Sequence, residues 1–171
     1  MKRAAFLICA GTDTQRFKVL QHRGQIPFVR EHDGAYSLRE AFLMRCQMAV
    51  MTASIGGLGP REAARFISNA ASYATERYGP EPRNLIGVEP AVWLLGLSFC
   101  GENTSTGEAE AWWAWHAGPL HEQAQVIARE LADDASTALR NASCTAAVAV
   151  NATRAAIDVI TKAEELGVTD D

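Results

Sequence analysis

Residues 12–27 read Thr-Asp-Thr-Gln-Arg-Phe-Lys-Val-Leu-Gln-His-Arg-Gly-Gln-Ile-Pro, and this stretch decides the fold of the first part of the chain. Asp13 or Thr12 can cap the start of a helix, because its side-chain oxygen can accept a hydrogen bond from a free amide of the first turn. Gly24 and the proline three residues later mark its end, since neither residue type continues a helix readily. The stretch therefore predicts a short helix over residues 14–23.

The predicted helix has two different faces. Phe17 and Leu20 form a narrow apolar stripe that can pack on a small core. The other face follows the i, i+3, i+4, i+7 spacing and combines an amide, a cation, a small apolar group and an imidazole. Its residues are Gln15, Lys18, Val19 and His22. This mixture suits a DNA major groove, where Gln and Lys can contact base edges and a small apolar group can contact a thymine methyl.

The flanking sequence predicts a helix-turn-helix with a wing. Residues 4–10 are apolar and end at Gly11, so residues 11–13 form the tight turn between two helices. Downstream, residues 28–37 predict two short extended arms around an Asp-Gly pair, which is a strong signal for a hairpin turn. Ser37 then caps a helix over 38–54, with the glutamate three residues later as its capping-box partner.

About the first 78 residues resemble the N-terminal winged helix-turn-helix of the MerR family and the related excisionase-like small DNA-binding proteins. The resemblance is carried by the opening helix, Gly11, the Thr14-to-Arg23 helix, Gly24-Gln25-Ile26-Pro27, Gly34-Ala35-Tyr36 and Leu58-Gly59-Pro60-Arg61-Glu62-Ala63. It implies that the second helix lies in the major groove of double-stranded DNA and the wing on the backbone or minor groove. It also implies a homodimer on a palindromic site. Tyr36-Ser37-Leu38 departs from the family pattern, in which an arginine follows the wing tyrosine.

The expected DNA contacts are of two kinds. The expected base contacts are Gln15, Lys18 and Val19. Thr14 and His22 are expected to make only marginal base contacts. Phosphates are contacted by Arg16, Arg23, Arg30 and Tyr36.

Charge is divided unevenly between the two halves of the chain. Residues 1–80 contain eleven Lys/Arg and six Asp/Glu, a net charge of +5, whereas residues 81–171 contain five and fourteen, a net charge of −9. An acidic second half would be repelled by phosphate, so we expect it to point away from DNA or to contact another protein. A solvated acidic surface that only keeps the protein soluble is the simpler alternative.

The domain boundary is expected at residues 79–84, because a glycine and two prolines there cannot continue the helix predicted over 60–78. Residues 85–171 then form an acidic α+β domain for dimerisation or for partner or ligand contact. We predict strands over 91–99, 110–116 and 145–150, and helices over 118–132 and 152–166. The fold class is therefore mainly α with a minor α+β part: an N-terminal winged helix-turn-helix and a small α+β C-terminal domain.

Tryptophans give the second half its candidate partner or ligand surface, namely Trp93, Trp113 and Trp115. Strand alternation places Trp113 and Trp115 on one face and Trp112 on the other. Core packing, a pocket wall and a protein contact all remain open for these rings. We expect a homodimer through this half, by a strand edge or by the last helix.

The sequence offers little catalytic chemistry. It contains no GxSxG, Walker, HExxH or GxGxxG motif. His116 and His121 have a spacing with no settled metal geometry, and the four cysteines include no close pair. We expect no enzymatic activity, no metal and no cofactor.

The basic start and short apolar run resemble a signal peptide, but the run is at the short limit and leads directly into a capped helix. No apolar run approaches the length of a membrane span. We expect a cytoplasmic protein of bacterial or phage type, nucleoid-associated when bound.

The sequence favours a sequence-specific DNA-binding regulator of transcription. The first alternative is an excisionase-like or architectural protein that bends DNA. The second is a protein-interaction adaptor with a tryptophan-rich C-terminal unit.

Overall fold

The computed structural model describes residues 1–30, 34–52, 58–135 and 139–168. Its helices are α1 (Arg3–Ala10), α2 (Thr14–His22), α3 (Leu38–Thr52), α4 (Pro60–Tyr78), α5 (Gln123–Ala135) and α6 (Ala152–Glu165). Its strands are β1 (Val92–Asn103), β2 (Ala109–Pro119) and β3 (Leu139–Asn151). The fold is α+β. Within the described ranges, no helix is both long and apolar enough to cross a bilayer.

Local capping explains where several helices begin. Asp13 Oδ1 accepts a hydrogen bond from the amide of Arg16 at 2.8 Å, which caps α2. The amide of Ser37 donates to Glu40 Oε2 at 2.7 Å and the amide of Glu40 donates to Ser37 Oγ at 3.0 Å, so the predicted capping box is confirmed. Asn151 caps α6 through the amide of Arg154. Residues 53 and 54, the predicted end of α3, lie outside the described ranges.

The strands form an antiparallel sheet in the order β2-β1-β3. One sheet face, which includes Val92 and Leu94, belongs to the same hydrophobic cluster as α3, α4 and α6. The opposite face, which includes Leu97 and Phe99, packs against Val126 of α5. The sheet therefore has α3, α4 and α6 on one face and α5 on the other.

The two halves of the chain share one core, which corrects the predicted division into domains 1–78 and 85–171. A single hydrophobic cluster runs from Phe6 in α1 through α3 and α4 to Val159 in α6. The predicted linker, residues 79–84, overlaps a 3₁₀ turn over Pro82–Leu85. The first and last residues of this turn are buried. Proline and glycine ended α4 as expected, but the chain that follows packs on the core and does not act as a spacer.

Two charged clusters connect the halves. Arg45 of α3 and Arg154 of α6 both contact Asp158, at 2.9 and 3.1 Å. Beside β2, at the opposite edge of the sheet from β3, the guanidinium of Arg77 donates two hydrogen bonds to Glu122, at 2.8 and 3.0 Å. These hydrogen bonds, together with His116, lower the pKa of Glu122 to about 2.

The predicted wing is wrong for the described part of the segment. Residues 28–30 and 34–37 contain no strand, and residues 31–33 lie outside the described ranges. Tyr36 is 6% exposed, and its ring stacks on Phe6 with centroids 4.1 Å apart. Burial of this ring anchors the end of the segment on α1, whereas Val29 near its start is 88% exposed.

Candidate nucleic-acid interface

A three-residue turn, Gly11–Asp13, joins α1 to α2. Gly11 ends α1 in the left-handed region at φ 65°, a conformation that glycine adopts without steric cost. The amides of Gly11 and Thr12 donate to the carbonyls of Ile8 and Leu7, which closes the last turn of α1. The next helix, α2, begins three residues after Gly11.

The inner face of α2 is fixed to α1 by aromatic packing. Phe17 is fully buried, and its ring meets Phe6 edge to face with centroids 5.1 Å apart. Tyr36 closes the same cluster, 5.9 Å from Phe17, and Leu20 is buried beside it. The guanidinium carbon of Arg3 lies 5.4 Å from the centre of the Phe17 ring. The predicted core stripe of α2 is therefore confirmed.

The outer face of α2 is open to solvent. The seven predicted contact residues on α2 and at its end are all exposed: Thr14, Gln15, Arg16, Lys18, Val19, His22 and Arg23. Val19, the one apolar residue of this exposed set, is 44% exposed. A helix that shows an amide, a cation, an isopropyl group and an imidazole to water has the donors and the apolar contact that base recognition uses.

Arg30 and Tyr36, the other two predicted phosphate contacts, lie apart from this face and have partners within the protein. The guanidinium carbon of Arg30 sits 3.8 Å from the centre of the Tyr36 ring, and its NH2 donates to the carbonyl of Gly34 at 2.6 Å. Its Nε also lies 3.5 Å from a carboxylate oxygen of Glu40. These contacts assign both residues to packing of the loop after α2, and neither is retained in the interface.

A buried glutamine that sequence reasoning missed supports the far end of α2. Gln47 of α3 is 0% exposed, and its Nε2 donates to the carbonyls of Gln25 and Pro60, at 2.8 and 3.0 Å. It thereby joins the loop after α2 to the first residue of α4. The only sequence signal was a glutamine between apolar residues in the second half of α3.

The structure brings together two of the three candidate tryptophans. Trp113 and Trp115 share a sheet face and stack with centroids 5.3 Å apart and ring planes 7° apart, as predicted. Trp112 stacks on Phe99 on the opposite face, also as predicted. Trp115 is paired with Gly96 of β1, so the two residues lie on the same sheet face. Trp93 is three residues before Gly96 on β1, and strand alternation therefore places Trp93 on the opposite face from Trp115.

No protein-family model, curated protein sequence or solved structure matches this chain.

Proposed function

We propose that this protein binds double-stranded DNA in a sequence-specific manner and regulates transcription, with α2 in the major groove. The observation that carries the proposal is the division of α2 into two faces. Phe17 and Leu20 are buried, while Gln15, Lys18 and Val19 are exposed along one side. A helix held from behind by an aromatic cluster can enter a groove without giving up its own packing.

The distribution of charge also supports the placement of α2 against DNA. Arg16 and Arg23 lie near the two ends of α2 and are exposed, so each can reach a phosphate on one side of the groove. The net charge of +5 over residues 1–80 favours approach to DNA, and the net charge of −9 over the remainder favours the opposite side for the acidic half.

We further propose that the active species is a homodimer formed through β3. This strand is an edge of the sheet, and no residue from 141 to 150 is charged. Natural proteins usually protect long edge strands with charge or proline, so an edge of this kind is suited to pairing with a second copy. Ala147→Lys, at an exposed position, should shift the species in sedimentation velocity from dimer to monomer.

The function is tested by selecting bound duplexes from a random pool and measuring affinity for the enriched sequence against salt. The proposal predicts one enriched motif and a log–log salt slope of about −0.9 for each phosphate contact. A motif bound as adjacent copies with a large bend would favour the architectural alternative. The absence of any salt-dependent DNA binding would overturn the proposal and favour the protein-interaction adaptor.

A further inference from the structure

Three aromatic rings stack in a line from the core to the surface, between α4 and β2. Phe66 is 1% exposed and stacks on Trp115 with centroids 5.9 Å apart and ring planes 25° apart. Trp115 in turn stacks on Trp113, which is 38% exposed. Stacked rings with offset centroids are a favourable arrangement, and a further planar ring can extend such a series.

The outer end of this stack lines a cleft of about 310 Å³. The opposite wall is lined by Leu58, just before α4, and by Glu62 and Arg65 in the first two turns of α4. This volume is at the lower limit for small-molecule sites, which are typically concave and mostly apolar with a few polar groups. The shape therefore suits a compact ligand.

Glu62 and Arg65 give the cleft one charge of each sign. They lie three residues apart on α4, so they are neighbours on one helix face. Both are exposed, and in the ranges that the structure describes neither forms an ion pair. Other arginines on the helices, such as Arg45 and Arg77, are engaged with carboxylates.

We propose that this cleft binds a small aromatic zwitterion, of the class of a free aromatic amino acid. The ring stacks on Trp113, the ammonium group pairs with Glu62 and the carboxylate pairs with Arg65. This combination uses every feature that distinguishes the cleft: a planar stacking surface, limited volume and two opposite charges that form no ion pair with a described residue. The inference does not depend on the proposed DNA-binding function.

The test is an NMR titration of the ¹⁵N-labelled full chain, which follows the indole Nε1–H signals. The probes are L-tryptophan, tryptamine, indole-3-propionate, indole and L-leucine. We expect L-tryptophan to bind with a dissociation constant of about 1 mM or below. The signals of Trp113 and Trp115 should shift on binding, whereas that of Trp93, on the other sheet face, should not.

Charge variants on the surface of α4 separate the two ion pairs without disturbing the core. Glu62→Gln should weaken L-tryptophan and tryptamine about two- to fivefold and leave indole-3-propionate unchanged. Arg65→Gln should weaken L-tryptophan and indole-3-propionate and leave tryptamine unchanged. Glu164→Gln and Arg129→Gln, exposed on other helices, are the matched controls and should change nothing.

Trp113→Leu should abolish saturable binding of every aromatic probe. The proposal is overturned if L-tryptophan produces no saturable shift, or if indole or L-leucine binds as tightly as L-tryptophan. It is also overturned if neither charge variant changes any affinity, a result that remains decisive if Trp113→Leu fails to fold.

Discussion

The side-chain amide of Gln47 donates a 2.8 Å hydrogen bond to the backbone carbonyl of Gln25, just after the helix proposed to contact DNA. The same nitrogen donates to the carbonyl of Pro60 at 3.0 Å. Gln47→Leu removes this donor from both carbonyls, and we expect the free energy of unfolding to fall by about 1–3 kcal/mol. Urea denaturation measures the loss. Gln125→Leu, at an exposed position on α5, should stay within about 0.5 kcal/mol of the wild type, and an equally small change in Gln47→Leu would refute the role given to Gln47.

Gly11 and Gly24 form a matched pair of left-handed glycines, at φ 65° and 61°. Gly24→Ala should cost about 1 kcal/mol of folding free energy, since the backbone penalty acts alone where no atom of the described, non-adjacent residues lies within 4 Å of the added Cβ. Gly11→Ala should cost up to about 1 kcal/mol more, because the new Cβ displaces the guanidinium of Arg45 from its contact with Asp158. In an Arg45→Ala background the two glycine substitutions should become equal. If Gly11→Ala and Gly24→Ala lower the free energy of unfolding equally in the wild-type background, the close approach of Arg45 to Gly11 is contradicted.

The Arg77–Glu122 contact predicts a pH dependence of stability. The pKa of Glu122 is lowered from 4.5 to about 2 in the folded protein, mainly by hydrogen bonds from Arg77. Because the folded-state pKa lies below the unfolded value, the stabilisation is present above pH 4.5 and is lost as the pH falls from 4.5 towards 2. Arg77 is 44% exposed and Glu122 23%, so water screens the pair and we expect about 1 kcal/mol.

Glu122→Gln should therefore have a lower free energy of unfolding than the wild type near neutral pH. This difference should decrease as the pH is lowered into the acid range. The measurement is the urea midpoint as a function of pH for the wild type, Glu122→Gln and the exposed control Glu164→Gln. A constant difference between Glu122→Gln and the wild type across the whole range would show that the carboxylate charge is not what stabilises the contact.

The features predicted correctly from the sequence depend on residues close together in the chain. Asp13 and Ser37 cap helices through amides three residues away, so the starts of α2 and α3 could be located by spacing alone. The two faces of α2 follow the same helical periodicity. Strand alternation likewise placed Trp113 beside Trp115.

The features that were wrong or missed depend on contacts between distant parts of the chain. The Asp-Gly signal favoured a hairpin, but Tyr36 at the end of the segment stacks on Phe6, thirty positions earlier, and is buried in the core. The expected linker contains the buried Pro82 and is followed directly by Leu85, which belongs to the core cluster. The carbonyl partners of Gln47 come from two other elements, and no local pattern identifies them.

The most direct measurement is the affinity of Gln15→Ala/Lys18→Ala for the selected duplex, compared with Gln125→Ala/Lys162→Ala, a matched double variant on α5 and α6. Both pairs of side chains are exposed, so both proteins should fold with wild-type stability. If α2 contacts base edges, the first variant should bind the selected duplex at least about tenfold more weakly, while the second should bind as the wild type does. Equal affinities of both variants and the wild type would contradict the placement of α2 in the major groove.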